Sequence, residues 1–322
     1  MRTITLEEHF ATPEFLAALA KARVQGSVGA LGQRVREQLL DLGDGRLADM
    51  DAAGIDMQVL SLPGGGMDQL DAATATALAR DTNDRATDAV RAHPDRFSAF
   101  ATLALQDPDQ AALEFERCIT RLGFKGALLN GTTNGAFLDH PRFTPIFETA
   151  QRLGVPIYIH PAPPPRVAQE AYFSGLRDPY GALLANAGWG SNAETGLHCL
   201  RLIVSGVFDR FPALQVIIGH MGEGLPFSLT HANSWLSRVS GRLTRSVADY
   251  FGTNFHITTS GYFTLPPFLC ALLVTGADRL MFSVDYPFSP NADGRAFLDS
   301  LPIVPTDREK IGWSNAARLL KL

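Results

Sequence analysis

The sequence predicts an α/β protein, a (β/α)8 barrel, and three observations carry that expectation. Eight short apolar, β-branched runs recur along 322 residues, and stretches of helical periodicity lie between them. Several of the runs are continuously apolar instead of alternating, as strands covered on both faces of a parallel sheet are. The first run ends in Glu7-Glu8-His9-Phe10, where a doubly wound sheet, the rival architecture, normally carries a glycine-rich phosphate turn.

The first run is TITLEEH (3–9). Residues 11–49 after it exceed what a minimal barrel needs and read as a loop and helix excursion. DMQVLSL (56–62) is followed by Gly64-Gly65-Gly66. That triplet lacks both the GxGxxG spacing and a Walker lysine, so it reads as a flexible loop. Helical periodicity over 72–92 comes next. The turn signals His93-Pro94-Asp95 and Asp107-Pro108-Asp109 bracket FSAFATL (97–103), and a helix is expected over 110–122. GFKGALLN (123–130) and PIYIH (156–160) flank a helix over 143–153. A second excursion, 161–192, opens on Pro161-Ala162-Pro163-Pro164-Pro165 and carries Tyr172, Phe173, Tyr180 and Trp189. Helices over 194–208, 224–238 and 266–275 precede QVIIGH (215–220), NFHITTSG (254–261) and LMFSVD (280–285), and a last helix spans 308–320. No linker, repeat or low-complexity segment divides the chain, so 1–322 reads as one domain. Long excursions at the C-terminal rim of a barrel are where pockets, lids and subunit contacts are built.

Composition narrows the function. A chain 46% hydrophobic and 19% charged is neither disordered nor fibrous. The net charge of -5 with no basic cluster argues against a nucleic-acid or anionic-membrane surface. No apolar run approaches the roughly 20 residues of a spanning helix. Glu7 and Glu8 stand where a signal peptide would need positive charge and then an apolar stretch, so a cytoplasmic protein is expected. Cys118, Cys199 and Cys270 are far apart and odd in number, and read as core residues in a reducing compartment.

The chemistry is concentrated where the runs end. Glu7 and His9 close the first run, His160 the fifth, His220 the sixth and Asp285 the eighth. In a barrel these ends converge on one mouth. Residues two apart on a strand share a side, so Glu7 and His9 face the axis together while Glu8 points into the wall. One such histidine alone would be ordinary hydrogen-bonded structure. Converging carboxylates repel one another without a cation, so the set reads as an N/O site for Zn²⁺, Mn²⁺ or Fe²⁺ with room for water or substrate. His93, His140, His198 and His256 lie in loops, on a helix or toward the wrong strand end. His231, on the helix after the sixth run, is either surface or within reach of a neighbouring subunit.

At these residues the chain resembles a known family. The segments Leu6-Glu7-Glu8-His9-Phe10, Ile157-Tyr158-Ile159-His160-Pro161, Ile218-Gly219-His220-Met221-Gly222-Glu223 and Phe282-Ser283-Val284-Asp285-Tyr286-Pro287-Phe288 are similar to those of the amidohydrolase-related, metal-dependent decarboxylases. The nearest branch is that of the 2,3-dihydroxybenzoate and γ-resorcylate (2,6-dihydroxybenzoate) decarboxylases. The resemblance extends through 46–62, 194–212, 254–261 and 310–322. It implies that Glu7, His9, His160 and Asp285 are metal ligands, that His220 and Glu223 contact the substrate or the ligands, and that Asn130 lies on the substrate side. It also implies a dimer or tetramer. One departure is Ser283-Val284-Asp285 where the family commonly has Ser-Thr-Asp. Another is His231 near the place where some relatives carry an arginine that reaches the neighbour's site.

The expected activity is therefore decarboxylation of a small ortho-hydroxybenzoate-type aromatic acid. Zn²⁺ or Mn²⁺ would bind carboxylate and phenolate, and Asp285 would protonate the ring carbon with help from His220 and Glu223. Phe288, Phe227 and Trp189 are expected to form an apolar rim. The alternatives are hydrolysis of a lactone, ester or amide by a metal-activated water, or a non-enzymatic binding protein on the same barrel.

Overall fold

Every apolar run read from the sequence contributes a parallel strand. In the computed structural model, which describes residues 1–22, 32–239 and 241–322, these are β1 (Ile4–His9), β2 (Met57–Ser61), β3 (Phe97–Ala99), β4 (Ala101–Thr102), β5 (Ala127–Asn130), β6 (Ile157–His160), β7 (Val216–Ile218), β8 (Phe255–Thr258) and β9 (Leu280–Met281). Residues 23–31 of the 11–49 excursion lie outside the described residues. The strands pair in the order β1-β2-β3 and β4-β5-β6-β7-β8-β9.

Two seams join these sheets into a ring. The third run divides at Phe100, so that β3 pairs with β2 and β4 with β5. The Phe100 N–H donates to Leu60 O (2.9 Å), and the next amide, Ala101, donates to Gly126 O (2.8 Å). At the other seam Glu8 bridges Tyr286 in parallel, and the His9 N–H donates to Tyr286 O at 2.7 Å. The result is the (β/α)8 barrel expected from the alternation of strands and helices.

The first strand contains a bulge that the sequence does not announce. Thr5 pairs with Gln58 and Glu8 with Leu60, three steps on β1 against two on β2. The freed amides of Leu6 and Glu7 both donate to Ser283 Oγ (3.2 and 2.7 Å). Below the bulge Ile4 and Leu6 join Val59, Leu128, Tyr158, Ile217 and Met281 in an apolar plug, closed by Ala316 and Leu320 of the last helix, Asn315–Leu320.

Around the ring the helices bury apolar stripes against the strands. The helix Pro108–Thr120 shows why such segments are helical: Asp107 caps it by accepting from the Gln110 N–H, and Pro108 opens it. Its buried face is Ala111, Phe115 and Cys118. Truncating a buried phenylalanine such as Phe115 costs about 3–5 kcal/mol. The expected single helix over 308–320 is instead Pro305–Glu309, a widened turn Lys310–Ser314, and Asn315–Leu320. The carbonyl of Ile311 accepts from the Phe282 N–H (2.8 Å), and the Asn315 side chain donates to Ala277 O and Leu280 O. These tertiary bonds compete with the regular helical ladder. The helix expected over 194–208 breaks at Gly206, in the left-handed region at φ 76°, into Gly190–Val204 and Val207–Arg210. The 161–192 excursion carries the helices Arg166–Phe173 and Tyr180–Ala185. Among the described residues no helix is long and apolar enough to cross a membrane.

Candidate active site

Four side chains from three parts of the ring meet at its mouth. One ligand atom from each of Glu7, His9, His160 and Asp285 lies within 4.8 Å of the others. His9 Nε2 is 3.2 Å from Asp285 Oδ1, and His160 Nε2 is 3.1 Å from Glu7 Oε1. These contacts are close but do not align as hydrogen bonds: Glu7 Oε1 and His9 Nε2 are buried with no hydrogen-bond partner. Two carboxylates and two imidazoles with orphaned donor atoms are the donor set a divalent cation takes.

The surrounding bonds fix which ring nitrogen faces the centre. His160 Nδ1 lies 2.8 Å from Pro161 O, so it carries the proton and leaves the Nε2 lone pair free. His9 Nδ1 lies 3.1 Å from Ser61 Oγ, its register partner on β2, with the same consequence when the hydroxyl accepts. The Tyr158 hydroxyl donates to Glu7 Oε2, and itself contacts Thr258 Oγ1 at 2.8 Å. Glu7 is thereby oriented with one oxygen held and the other free. Burial opposes ionisation of Glu7, but His220, His160 and His9 outweigh it and hold the carboxyl well below the usual range. Burial pushes His9 down from its ordinary value and, with Glu7 beside it, pushes Tyr158 well up.

A second group stands against the first. His220 Nδ1 is 2.8 Å from Glu223 Oε1, and its Nε2 is 3.7 Å from Asp285 Oδ2. Burial disfavours the imidazolium, yet Glu223, Glu7 and Asp285 together raise His220 well above the ordinary value. Burial raises Glu223 despite the pull of His220. Asn192, at the start of the helix Gly190–Val204, donates to Glu223 Oε2 at 2.6 Å. The backbone here is strained. His220, Met221, Glu223 and Asp285 all have φ between 48° and 73°, the left-handed region that side chains disfavour.

Two of these residues do not sit as expected. His220 lies beyond β7, in a short 3₁₀ turn, His220–Gly222. Asp285 lies beyond β9, which stops at Met281, in a loop attached to β1. Both reach the mouth because left-handed residues turn the chain inward after the strand has ended. Asn130 does close β5, opposite His160 in register, and its Oδ1 is buried without a partner beside a cavity of about 30 Å³ lined by Leu62, Asp68, Gln106 and Thr133. Phe288 packs edge-on against His9, ring centroids 5.6 Å apart.

The rest of the expected rim is exposed to solvent. Phe227 is 89% exposed and Trp189 64% exposed. His231 is exposed with its ring beside Trp235. The physical reason is amphipathicity: the helix Leu225–Leu236 buries Leu225, Pro226 and Leu229, which leaves Phe227 and His231 outside. Nor is Gly64 merely flexible loop. A Cβ there would lie 2.6 Å from His160 Nδ1, so only a glycine lets the loop pack on that ring. Ser61, Tyr158, Asn192 and Ser283 were not foreseen as site residues. Ser61 alone left a trace, as the hydroxyl near the end of an apolar run. His256 contacts Gln215 and Arg279, and His198 accepts from the Leu138 N–H, both outside the cluster.

Known proteins share this whole arrangement of chain. A family model described as amidohydrolase matches residues 11–322. The γ-resorcylate decarboxylase of Polaromonas sp. (strain JS666 / ATCC BAA-500) is 40% identical, over 99% of this chain and 98% of its own. A crystal structure of 2,6-dihydroxybenzoate decarboxylase complexed with 2,6-dihydroxybenzoate superposes with a TM-score of 0.91 at 38% identity, covering 100% of both chains. A dihydroxybenzoic acid decarboxylase from Polaromonas sp. JS666, with bound manganese and the inhibitor 2-nitroresorcinol, superposes with a TM-score of 0.90 at 38% identity, covering 100% of this chain and 97% of that one.

Proposed function

The chain belongs to the amidohydrolase family, and on that footing we propose that it is a metal-dependent carboxy-lyase that removes CO2 from an ortho-hydroxybenzoate-type aromatic acid. The observation that carries the reading is the Glu7, His9, His160 and Asp285 cluster, with its orphaned donor atoms, in a chain that matches such decarboxylases from end to end.

Glu7 Oε1, His9 Nε2, His160 Nε2 and an Asp285 oxygen would hold a divalent ion, Zn²⁺ or Mn²⁺. When bound, it supplies Lewis acidity that gathers a carboxylate and its ortho phenolate and lowers the phenol pKa. The chain's own groups do the rest. Asp285, as the acid, gives its proton to the ring carbon that bears the carboxylate. The bond from that carbon to the carboxylate then breaks, its electron pair restores aromaticity, and CO2 leaves. His220 Nε2, 3.7 Å from Asp285 Oδ2, returns a proton to the carboxylate, and Glu223 with Asn192 behind it keeps the imidazole aimed. Asn130 offers its unpartnered amide oxygen to a ring substituent, and Phe288 shields the ring from water.

We place the whole chain, 1–322, in one barrel domain working in the cytoplasm. Phe227, Trp189 and His231 are exposed in one copy, and we propose that a homodimer or homotetramer brings them to the substrate site.

The test is CO2 release, with loss of substrate absorbance, from a panel of ortho-hydroxybenzoates, using protein stripped of metal and reloaded separately with Zn²⁺ and Mn²⁺. Metal-dependent release from a member of the panel is the expected result. No release from any member, with metal bound stoichiometrically, overturns the reading in favour of lactone, ester or amide hydrolysis.

A further inference from the structure

We propose that Glu8, which faces the barrel wall and cannot touch a substrate, is the positioning residue for Asp285. Alternation along β1 sets Glu7 and His9 to one side and the Glu8 side chain to the other, where it is fully buried. There its carboxylate forms a clasp. Oε1 accepts from Val284 N (2.9 Å) and Ser283 Oγ (3.0 Å), and Oε2 accepts from Tyr286 N (3.3 Å). Val284 and Tyr286 are the neighbours of Asp285 on either side, so one carboxylate grips both amides that flank it.

Asp285 needs such a grip. It is held at φ 73° four residues beyond the end of β9. A left-handed, non-glycine residue persists only where its surroundings over-determine it. The other backbone bonds at this turn are the carbonyl of Tyr286 on the His9 N–H (2.7 Å), the carbonyl of Val284 on the Gly261 N–H (3.1 Å) and the carbonyl of Asp285 on the Ser289 N–H (3.0 Å). All three occupy carbonyls, and the clasp occupies the amides.

The clasp is itself anchored. Ser283 Oγ, which donates to Glu8, accepts both amides of the bulge, so a shift of Glu8 would be felt at Glu7 as well as at Asp285. Behind it the buried Arg46 donates to His9 O and lies with its guanidinium 4.7 Å from the Tyr286 ring centre. Glu8 and Arg46 thus brace the two ends of the seam from outside, as hydrogen-bonded partners behind metal ligands brace those ligands.

The inference that the clasp serves proton delivery rests on the decarboxylase reading; that it positions Asp285 does not. The test is a double-mutant cycle on Mn²⁺ affinity and on turnover. Glu8→Gln keeps the shape but sets an NH2 group against one of the amides. It is expected to bind one Mn²⁺ per chain about 10–100-fold more weakly, and to lose about 100-fold in kcat with KM little changed. In an Asp285→Asn background the same substitution is expected to cost far less in Mn²⁺ affinity, because the residue it positions is already disabled and only the part passed to Glu7 through Ser283 remains. Equal losses in both backgrounds overturn the proposal, as do wild-type Mn²⁺ affinity and kcat in Glu8→Gln. Ser283→Ala, which removes one donor and the bulge's shared acceptor, decides the matter by the same cycle if Glu8→Gln does not fold. Its expected loss is about tenfold in the Asp285 background and smaller with Asp285→Asn, where only the effect on Glu7 is left. If the wild-type protein releases no CO2, the decarboxylase reading falls and the Mn²⁺ cycle still decides the clasp.

Discussion

His160 Nε2 stands 3.1 Å from Glu7 Oε1, an imidazole and a carboxylate brought together from opposite sides of the barrel, with no proton aligned between them. Such a pair is incomplete without a third party. Loading the protein with Mn²⁺ at a hundred times its dissociation constant is expected to stabilise the fold by about 2.7 kcal/mol. Calorimetry before and after a chelator measures this, and an unfolding midpoint indifferent to Mn²⁺ and Zn²⁺ alike would show that the cluster holds no ion.

Asp285 is assigned the proton. Asp285→Asn keeps the side chain's shape and removes its acidity, so turnover is expected to fall at least about 10³-fold while part of the metal remains bound. Rates and metal content on one preparation decide it, and a wild-type rate would exclude Asp285 as the carrier.

Gly64→Ala probes the packing beneath His160. The added methyl would lie 2.6 Å from His160 Nδ1 and 2.9 Å from Pro161 O, the two atoms whose bond sets the ring. Mn²⁺ affinity is expected to drop about 10–100-fold with the far-ultraviolet circular dichroism unchanged. A titration showing undiminished affinity would mean that the loop yields freely.

Acid is expected to loosen the fold through two histidines remote from the cluster. Burial holds His198 down to about 4, against the pull of Asp139, and burial with Arg279 and Arg318 holds His256 down to about 3. The unfolded chain takes up these protons near pH 6.5, so their contribution is complete above that value and is lost as pH falls toward 4 and 3. From pH 6.5 to 5 the loss is about 1.6 kcal/mol from each. Urea unfolding at the two pH values measures it. His198→Gln should show a shallower decline, and an unchanged slope would remove His198 from the account.

Much of this was legible in the sequence because a barrel makes polarity at strand ends informative. Glu7, His9 and His160 stand out since each follows an apolar run directly. The same reasoning puts Asp285 at a strand end, yet the strand stops at Met281 and a left-handed loop does the placing. Ser61, Tyr158 and Ser283 left little or no trace. Their roles are hydrogen bonds to residues 52, 151 and 276 positions away, and a hydroxyl inside an apolar run has no periodicity to betray it. Phe227 and Trp189 show the converse: aromatic content says that a surface is apolar, not how much of it one chain buries.

The seam between Glu8 and Tyr286 also bears on the order in which a ribosome releases the chain. Glu7 and His9 are made before the rest of their cluster, but Ser283, which anchors their strand, and Asp285, which completes the cluster, come some 276 residues later. Synthesis at about 5–20 residues per second leaves the first strand waiting roughly 15–60 seconds for its partner. A chain halted just before position 283 already holds three of the four grouped side chains, yet lacks Ser283 and the Tyr286 bridge that tie the last strand to the first. Metal capture with the full set is thus reserved for a chain that extends past Asp285.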